Sequence, residues 1–176
     1  SGLEQAGIRL LTGVNMTAVE RGAEGLSVAL DNGETLHADT LMMGTGRRPL
    51  TSGLGCDAAG VMLAGNGAIV VDKSSQTSQS HIFAVGDVTD RINLTPVAIR
   101  EGHAFADSEF GGNPRTFDHE FVASAVFVQP EVGTVGYTEA QAREKFDTVK
   151  IYKSNFRPMK HMLNDDPGKV LMKLVC

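Results

Sequence analysis

The stretch IFAVGDVTDRINLTPVAIREGHAF, residues 82–105, constrains this chain more than any other part of it. An apolar run ends in Gly86-Asp87, and eight positions after Asp87 the pair Thr95-Pro96 opens a segment with helical spacing. Thr95 suits an N-cap, because its hydroxyl can accept from an unpaired backbone N–H, and Pro96 suits the first helical position. The expected helix therefore runs from Pro96 to about Phe110.

A buried strand ending in Gly-Asp puts a close-approach backbone and an acceptor carboxylate at the carboxyl edge of a sheet. Open α/β folds hold their ligands there. An ionised Asp accepts hydrogen bonds and donates none, so its partner is a hydroxyl or an N–H group. A sugar-alcohol chain supplies hydroxyls, and a helix N-terminus stabilises an anion or an electron-rich ring. A flavin offers both. The rival reading makes Asp87 a turn residue before a structural helix, since Asp is common in turns. The Gly-Asp pair alone leaves the two open.

On the expected helix, Thr95, Ile99 and His103 recur at i, i+4 and i+8 and share one face. That face is either a substrate surface or an ordinary helix face, and spacing does not separate the two. Gly102 in mid-helix costs up to about 1 kcal/mol relative to Ala, which predicts close packing at that position.

Residues 8–43 read as β-rich. IRLLTG, MTAVER, LSVAL and TLHADTLMM are short apolar or alternating runs, and Asn32-Gly33 signals a hairpin with a type I′ turn. GAIVVD (67–72) and HIFAVGD (81–87) read as two further buried strands, and FGGNPRTFDHE (110–120) as a turn-rich linker. Beyond it, SAVF, VGTVGYT, VKIYKSNF and KVLMKLVC are expected strands around one helix from Glu139 to about Phe146. Thr138 and Gln141 form a capping box at its start.

With 41% hydrophobic and 21% charged residues the chain can bury a core, and its formal charge of −5 without a basic patch argues against nucleic acid as a partner. No apolar run reaches the roughly 18 to 20 residues that cross a bilayer, and no signal-peptide pattern opens the chain. The expectation is a soluble, cytoplasmic protein. SGLEQAGIRLL reads as a helix end stopped by Gly7, and KVLMKLVC ends inside a strand pattern, so the 176 residues are expected to be a segment of a longer protein. Cys56 and Cys176 lie in no CxxC or metal spacing, and the five His residues are scattered, so no metal site is expected.

AVGDVTDRINLTPVAIREGHAFAD, MMGTGRRP, VFVQPEVGTVGYTEAQA, SNFRPMK and LMKLV, in this order, resemble the class I pyridine nucleotide-disulfide oxidoreductases over nearly all of the chain. LTPVA departs from the Leu-Ala-His of dihydrolipoamide dehydrogenases, while VGTVGYTE and FRPMK favour the branch that reduces oxidised glutathione. The resemblance implies an α/β and α+β fold: part of a two-domain Rossmann-like FAD/NAD(P)-binding fold, plus the start of an α+β dimerisation domain. It implies that 1–49 end an NADPH-binding domain, 50–118 form the second part of an FAD-binding domain, and 119–176 begin the dimerisation domain.

The implied cofactors are FAD and NADPH, and the implied partners are oxidised glutathione and a second copy of the intact protein, in a reaction that maintains redox homeostasis. Motif by motif, Asp87 matches the acidic residue that bonds the FAD ribityl chain, with Gly86 beside it, and Gly46 matches a position next to NADPH. Thr95 matches a position near flavin and glutathione, while Asn93 and Ala125 align where backbone approaches the nicotinamide. The substrate positions are Thr95, Ile99 and His103. His103 stands where the family often has an Arg that contacts a glutathione carboxylate, and a His donates there as a weaker, pH-dependent cation. Arg100, about one turn earlier, is a conceivable substitute.

Family members carry a redox-active CxxxxC, a His-Pro-Thr and Gly-rich nucleotide fingerprints, and these 176 residues contain none of them. The segment alone is therefore expected to catalyse nothing, to be marginally stable and to expose apolar surface. Mercuric ion, trypanothione and thioredoxin are alternative substrates for the parent, and a non-catalytic flavin-binding or dimerisation fragment is the reading from another class.

Overall fold

Gly7 stops the first helix as its sequence implies. α1 (Gly2–Gln5) ends with Gly7 at φ +82°, whose N–H donates to Glu4 O at 3.0 Å, while Ile8 N–H donates to Leu3 O at 3.0 Å. Left-handed glycine at this position satisfies carbonyls the helix leaves over. The computed structural model describes residues 2–163 and 168–176. The chain forms two compact units: one holds the chain up to Thr45, Ala125–Gly133 and Thr138–Cys176, and the other holds Gly46–Ser124 and Thr134–Tyr137.

In the first unit, β1 (Met16–Gly22), β2 (Gly25–Leu30) and β3 (Thr35–Ala38) form an antiparallel sheet in that order. Val28, opposite both Val19 and Leu36, is its buried residue. The expected hairpin joins β2 to β3, but its turn is not type I′. Gly33 takes φ +86° and Asn32 stays at negative φ, its side chain accepting from Glu34 N–H at 3.0 Å. Leu30 N–H donates to Glu34 O at 2.8 Å, so the loop between the paired residues is three residues long, Asp31 to Gly33, instead of two. Residues 8–13 and 39–43, expected within strands, are not strands. Arg9 instead leaves its backbone unladdered and binds Glu34 with both guanidinium nitrogens, at 2.6 and 3.0 Å.

The C-terminal part follows its sequence pattern closely. β4 (Ser124–Val126) and β5 (Val132–Thr134) form a two-stranded sheet. α3 (Glu139–Lys145) begins with the expected capping box: Thr138 Oγ1 accepts from Gln141 N–H at 3.3 Å, and Gln141 Oε1 accepts from Thr138 N–H at 2.9 Å. Glu139 then binds Arg143 at 2.9 Å and, from β7 (Val170–Val175), Lys173 at 2.7 Å. These cations, Lys173 first, hold its carboxyl down at about 2. β6 (Ile151–Phe156) pairs antiparallel with β7 from Ile151↔Val175 to Phe156↔Val170. Tyr152, Leu171, Met172 and Leu174 remain exposed on this ribbon.

The second unit is held mainly by loops packed on one helix. The runs 67–72 and 81–87 are not strands. Each pairs at a single bridge, Leu63↔Ile69 and Gln76↔Phe83. An apolar run becomes a strand only where successive residues find a ladder partner, and here the pairing does not extend beyond the single bridges. α2 (Thr95–Glu109) buries Val97, Glu101 and Ala104, spaced i, i+4 and i+7 on one face. It starts one residue earlier than expected. Its N-cap is Leu94, which has no side-chain bond to the first turn, and Pro96 sits inside that turn, so Thr95 is not the cap. Gly102 also departs from expectation, since a Cβ there would meet nothing within 4 Å. Phe83 packs on Phe105 with centroids 4.9 Å apart, and Phe105 meets Phe110 edge-on at 5.8 Å.

Candidate functional site

Asp87 lies in a 3-10 turn, Gly86–Thr89, not at the end of a strand. The turn is forced by Gly86, whose φ of +74° suits glycine and whose added Cβ would lie 3.0 Å from Ala98 Cβ on α2. Asp87 follows with its carboxylate partly open, 41% exposed, and Arg47 Nη2 is 3.4 Å from Oδ2. Arg47, Arg48, Asp87, Val88 and Asn93 line one cavity of about 260 Å³. The structure thus brings two of the sequence-predicted residues, Asp87 and Asn93, to one place. Asn93 turns its side chain away to Asp90 Oδ1, donating at 2.8 Å.

Gly46, at φ +100°, is exposed and directly precedes Arg47. Ala125 lies on β4 in the other compact unit, exposed. Thr95, Ile99 and His103 line the exposed side of α2, opposite Val97, Glu101 and Ala104. Ile99 is 53% exposed, too open for a core position. Ile99, Arg100 and His103 border a second cavity, about 560 Å³, closed on its far side by Arg115, Thr116 and Phe117. Arg115 is held there by Asp107 at 2.9 Å.

The residue the sequence reading missed is Glu101. Only 2% exposed, it accepts from Gly86 N–H at 2.6 Å through Oε2, while Oε1 meets Arg91 Nη2 at 2.9 Å and His119 Nε2 at 2.6 Å. Arg91 also donates to Thr89 Oγ1 and Ser75 Oγ, both at 3.2 Å. Ser75 belongs to a turn organised by Asp72, whose Oδ1 accepts from Ser74 N–H, Ser74 Oγ and Gln76 N–H. Those bonds, the Ser74 hydroxyl first, hold the Asp72 carboxyl below its ordinary range. The signal for Glu101 was available in the chain: an acidic residue between Val97 and Ala104 on the apolar stripe of a helix is buried and must be paired.

A glycine-led turn thus presents an open carboxylate to a cavity, and it packs against a helix that no side chain caps. Residues 2–102 match the family described as pyridine nucleotide-disulphide oxidoreductase, and residues 122–176 match the dimerisation domain of that family. The chain belongs to the pyridine nucleotide-disulphide oxidoreductase family.

The chain is 52% identical to a glutathione reductase of Burkholderia cepacia over 98% of its own length and 38% of that protein. It is 49% identical to a glutathione reductase of Nostoc sp., covering 99% of the chain and 41% of that protein, and 45% identical to the trypanothione reductase of Trypanosoma congolense, covering 93% and 33%. Among solved structures, the HOCl-induced flavoprotein disulfide reductase RclA from Escherichia coli superposes with a TM-score of 0.87 at 27% identity, over 98% of this chain and 40% of that one. LpdA from Mycobacterium tuberculosis gives 0.76 at 27% identity, over 86% and 33%. The chain thus spans about two fifths of the two glutathione reductases it matches. No helix of the described residues is long and apolar enough to cross a membrane.

Proposed function

We propose that the chain is part of an FAD-dependent NADPH:glutathione-disulfide reductase, which as an intact homodimer reduces oxidised glutathione and maintains redox homeostasis. The observation that carries this is the open Asp87 carboxylate, which lines one cavity on a turn packed against α2, the helix along which Thr95, Ile99 and His103 are exposed. The names of the Burkholderia and Nostoc relatives support the substrate.

The residues present fit a flavin. Asp87 offers an acceptor carboxylate to the cavity, and Gly86 lets the turn that carries it lie close against Ala98 of α2. When bound, FAD supplies the two-electron link between NADPH and a disulfide. In this reading Asp87 accepts from a ribityl hydroxyl, and Gly46 and Asn93 lie where NADPH approaches. Thr95 stands between flavin and substrate, Ile99 gives the glutathione an apolar contact, and His103 offers a cation to its carboxylate. Arg100 borders the same cavity as His103 and shares that role. The proposed divisions are residues 1–49 for the end of the NADPH-binding domain, 50–118 for the second part of the FAD-binding domain, and 119–176 for the start of the dimerisation domain.

The intact protein that carries this segment tests the reading. Purified, it should show flavin absorbance and oxidise NADPH with oxidised glutathione in preference to trypanothione, thioredoxin or mercuric ion. Absence of NADPH oxidation with every disulfide would end the enzyme reading. Preference for trypanothione would move it to the second reading, which the 45% identity to the Trypanosoma congolense protein favours.

A further inference from the structure

Glu101 sits on the inward face of α2 between Val97 and Ala104, and its carboxylate is 2% exposed. Such a group is held there by donors or not at all. Two of its three donors come from the turn that carries Asp87 or from just past it. Gly86 N–H, at the start of the turn, bonds Oε2 at 2.6 Å, and Arg91, just past its end, bonds Oε1 at 2.9 Å. Within the turn, Thr89 Oγ1 donates to Gly86 O at 2.8 Å and accepts from Arg91 Nε at 3.2 Å. The path from Glu101 to Gly86, Thr89, Arg91 and back to Glu101 is a closed ring of hydrogen bonds around Asp87. His119, from the segment beyond α2, closes the outer side at 2.6 Å.

Asp87 itself contributes nothing to this ring. Its carboxylate faces the cavity and the exposed Arg47. The backbone on both sides of it is fixed, and on one side a steric wall adds to the bonds, since Ala98 Cβ stands 3.0 Å from where a Gly86 Cβ would be. We infer that Glu101 is the positioning residue for Asp87, fixing through Gly86 N–H and Arg91 the point at which the Asp87 carboxylate is presented to a polyhydroxylated cofactor. The functional half of this inference rests on the flavin reading above.

The test uses the intact protein with Glu101→Ala, Glu101→Gln and Val97→Ala, the last removing packing on the same helix face without touching the ring. Glu101→Ala is expected to raise the Kd for FAD by about tenfold or more, as one buried donor left unpaired implies. It should also shift the visible circular dichroism of the bound flavin and speed amide exchange across 86–89. Glu101→Gln keeps an acceptor for Gly86 N–H but sets an amide against Arg91 and His119, so it should fall between wild type and Ala. Val97→Ala should lower Tm while leaving the FAD Kd within about twofold.

A Kd unchanged within about twofold in Glu101→Ala, with a wild type that binds flavin, overturns the inference and leaves the flavin reading standing. Equal weakening by Val97→Ala also overturns it, because the effect is then general loosening. A wild type that binds no flavin overturns the flavin reading and this role with it. Should Glu101→Ala fail to accumulate, Glu101→Gln decides alone: weakening of about threefold or more supports the inference, and anything smaller sinks it.

Discussion

Arg47 and Asp87 face each other across 3.4 Å, forty positions apart in the chain, and both stay substantially open to solvent. An ion pair this exposed contributes little to stability, about 0 to 1 kcal/mol. Its side chains are therefore free to exchange partners. An acceptor carboxylate with a weak, replaceable partner beside a cavity is suited to a hydroxylated ligand, whereas a structural Asp is normally consumed by its own turn.

Asp87→Ala in the intact protein is accordingly expected to weaken FAD retention by about tenfold or more while changing Tm by little in the flavin-free state. Asp87→Asn keeps one acceptor oxygen and should lose less. Fluorescence titration with FAD after flavin stripping measures both, and equal affinity in wild type and Asp87→Ala would remove Asp87 from the site.

Gly86→Ala should be poorly tolerated. The backbone there is at φ +74°, and the new methyl would lie 3.0 Å from Ala98 Cβ, so the turn must strain or move off α2. A loss of about 1 to 3 kcal/mol in urea unfolding is expected, with weaker flavin binding alongside it. A neutral result would mean that the turn adapts freely.

Gly102→Ala should do the reverse. Gly102 lies inside α2, its φ is not positive, and nothing within 4 Å meets an added Cβ. The helix is expected to gain about 0.5 to 1 kcal/mol, read as a higher urea midpoint at unchanged m-value. A lower midpoint would show that the space beside Gly102 is used.

Glu139 gives a pH dependence. Its folded-state value of about 2 lies below the ordinary 4.5, so its contribution is full above about 4.5 and is lost as pH falls towards 2. The Tm difference between wild type and Glu139→Gln should be largest near neutral pH and close steadily between those two values. A difference that stays constant down to pH 2 would show that the Lys173 and Arg143 contacts do not form in solution.

What could be read from the chain follows the distance over which each feature is determined. The α3 cap was legible because Thr138 and Gln141 are three residues apart and satisfy each other. The β2–β3 hairpin was legible for the same reason, although Asn32-Gly33 gave the turn and not its type. Residues 67–72 and 81–87 misled because composition reports burial, while a strand also needs a ladder partner along its length. Asp87 was expected at a strand end and lies in a 3-10 turn instead; what was legible was the helix that follows it. The support of that turn was not, because Glu101 reaches fifteen residues back to Gly86 and eighteen forward to His119, and nothing local marks those pairings.

The hydrogen-bond ring also bears on how this sequence can drift. Ser75, Thr89, Arg91, Glu101 and His119 share atoms, with one hydroxyl or one carboxylate oxygen serving two neighbours at once. A substitution at any of them changes what the others are allowed to be. The five positions should behave as one heritable unit, in which single changes are costly and tolerated combinations arrive together.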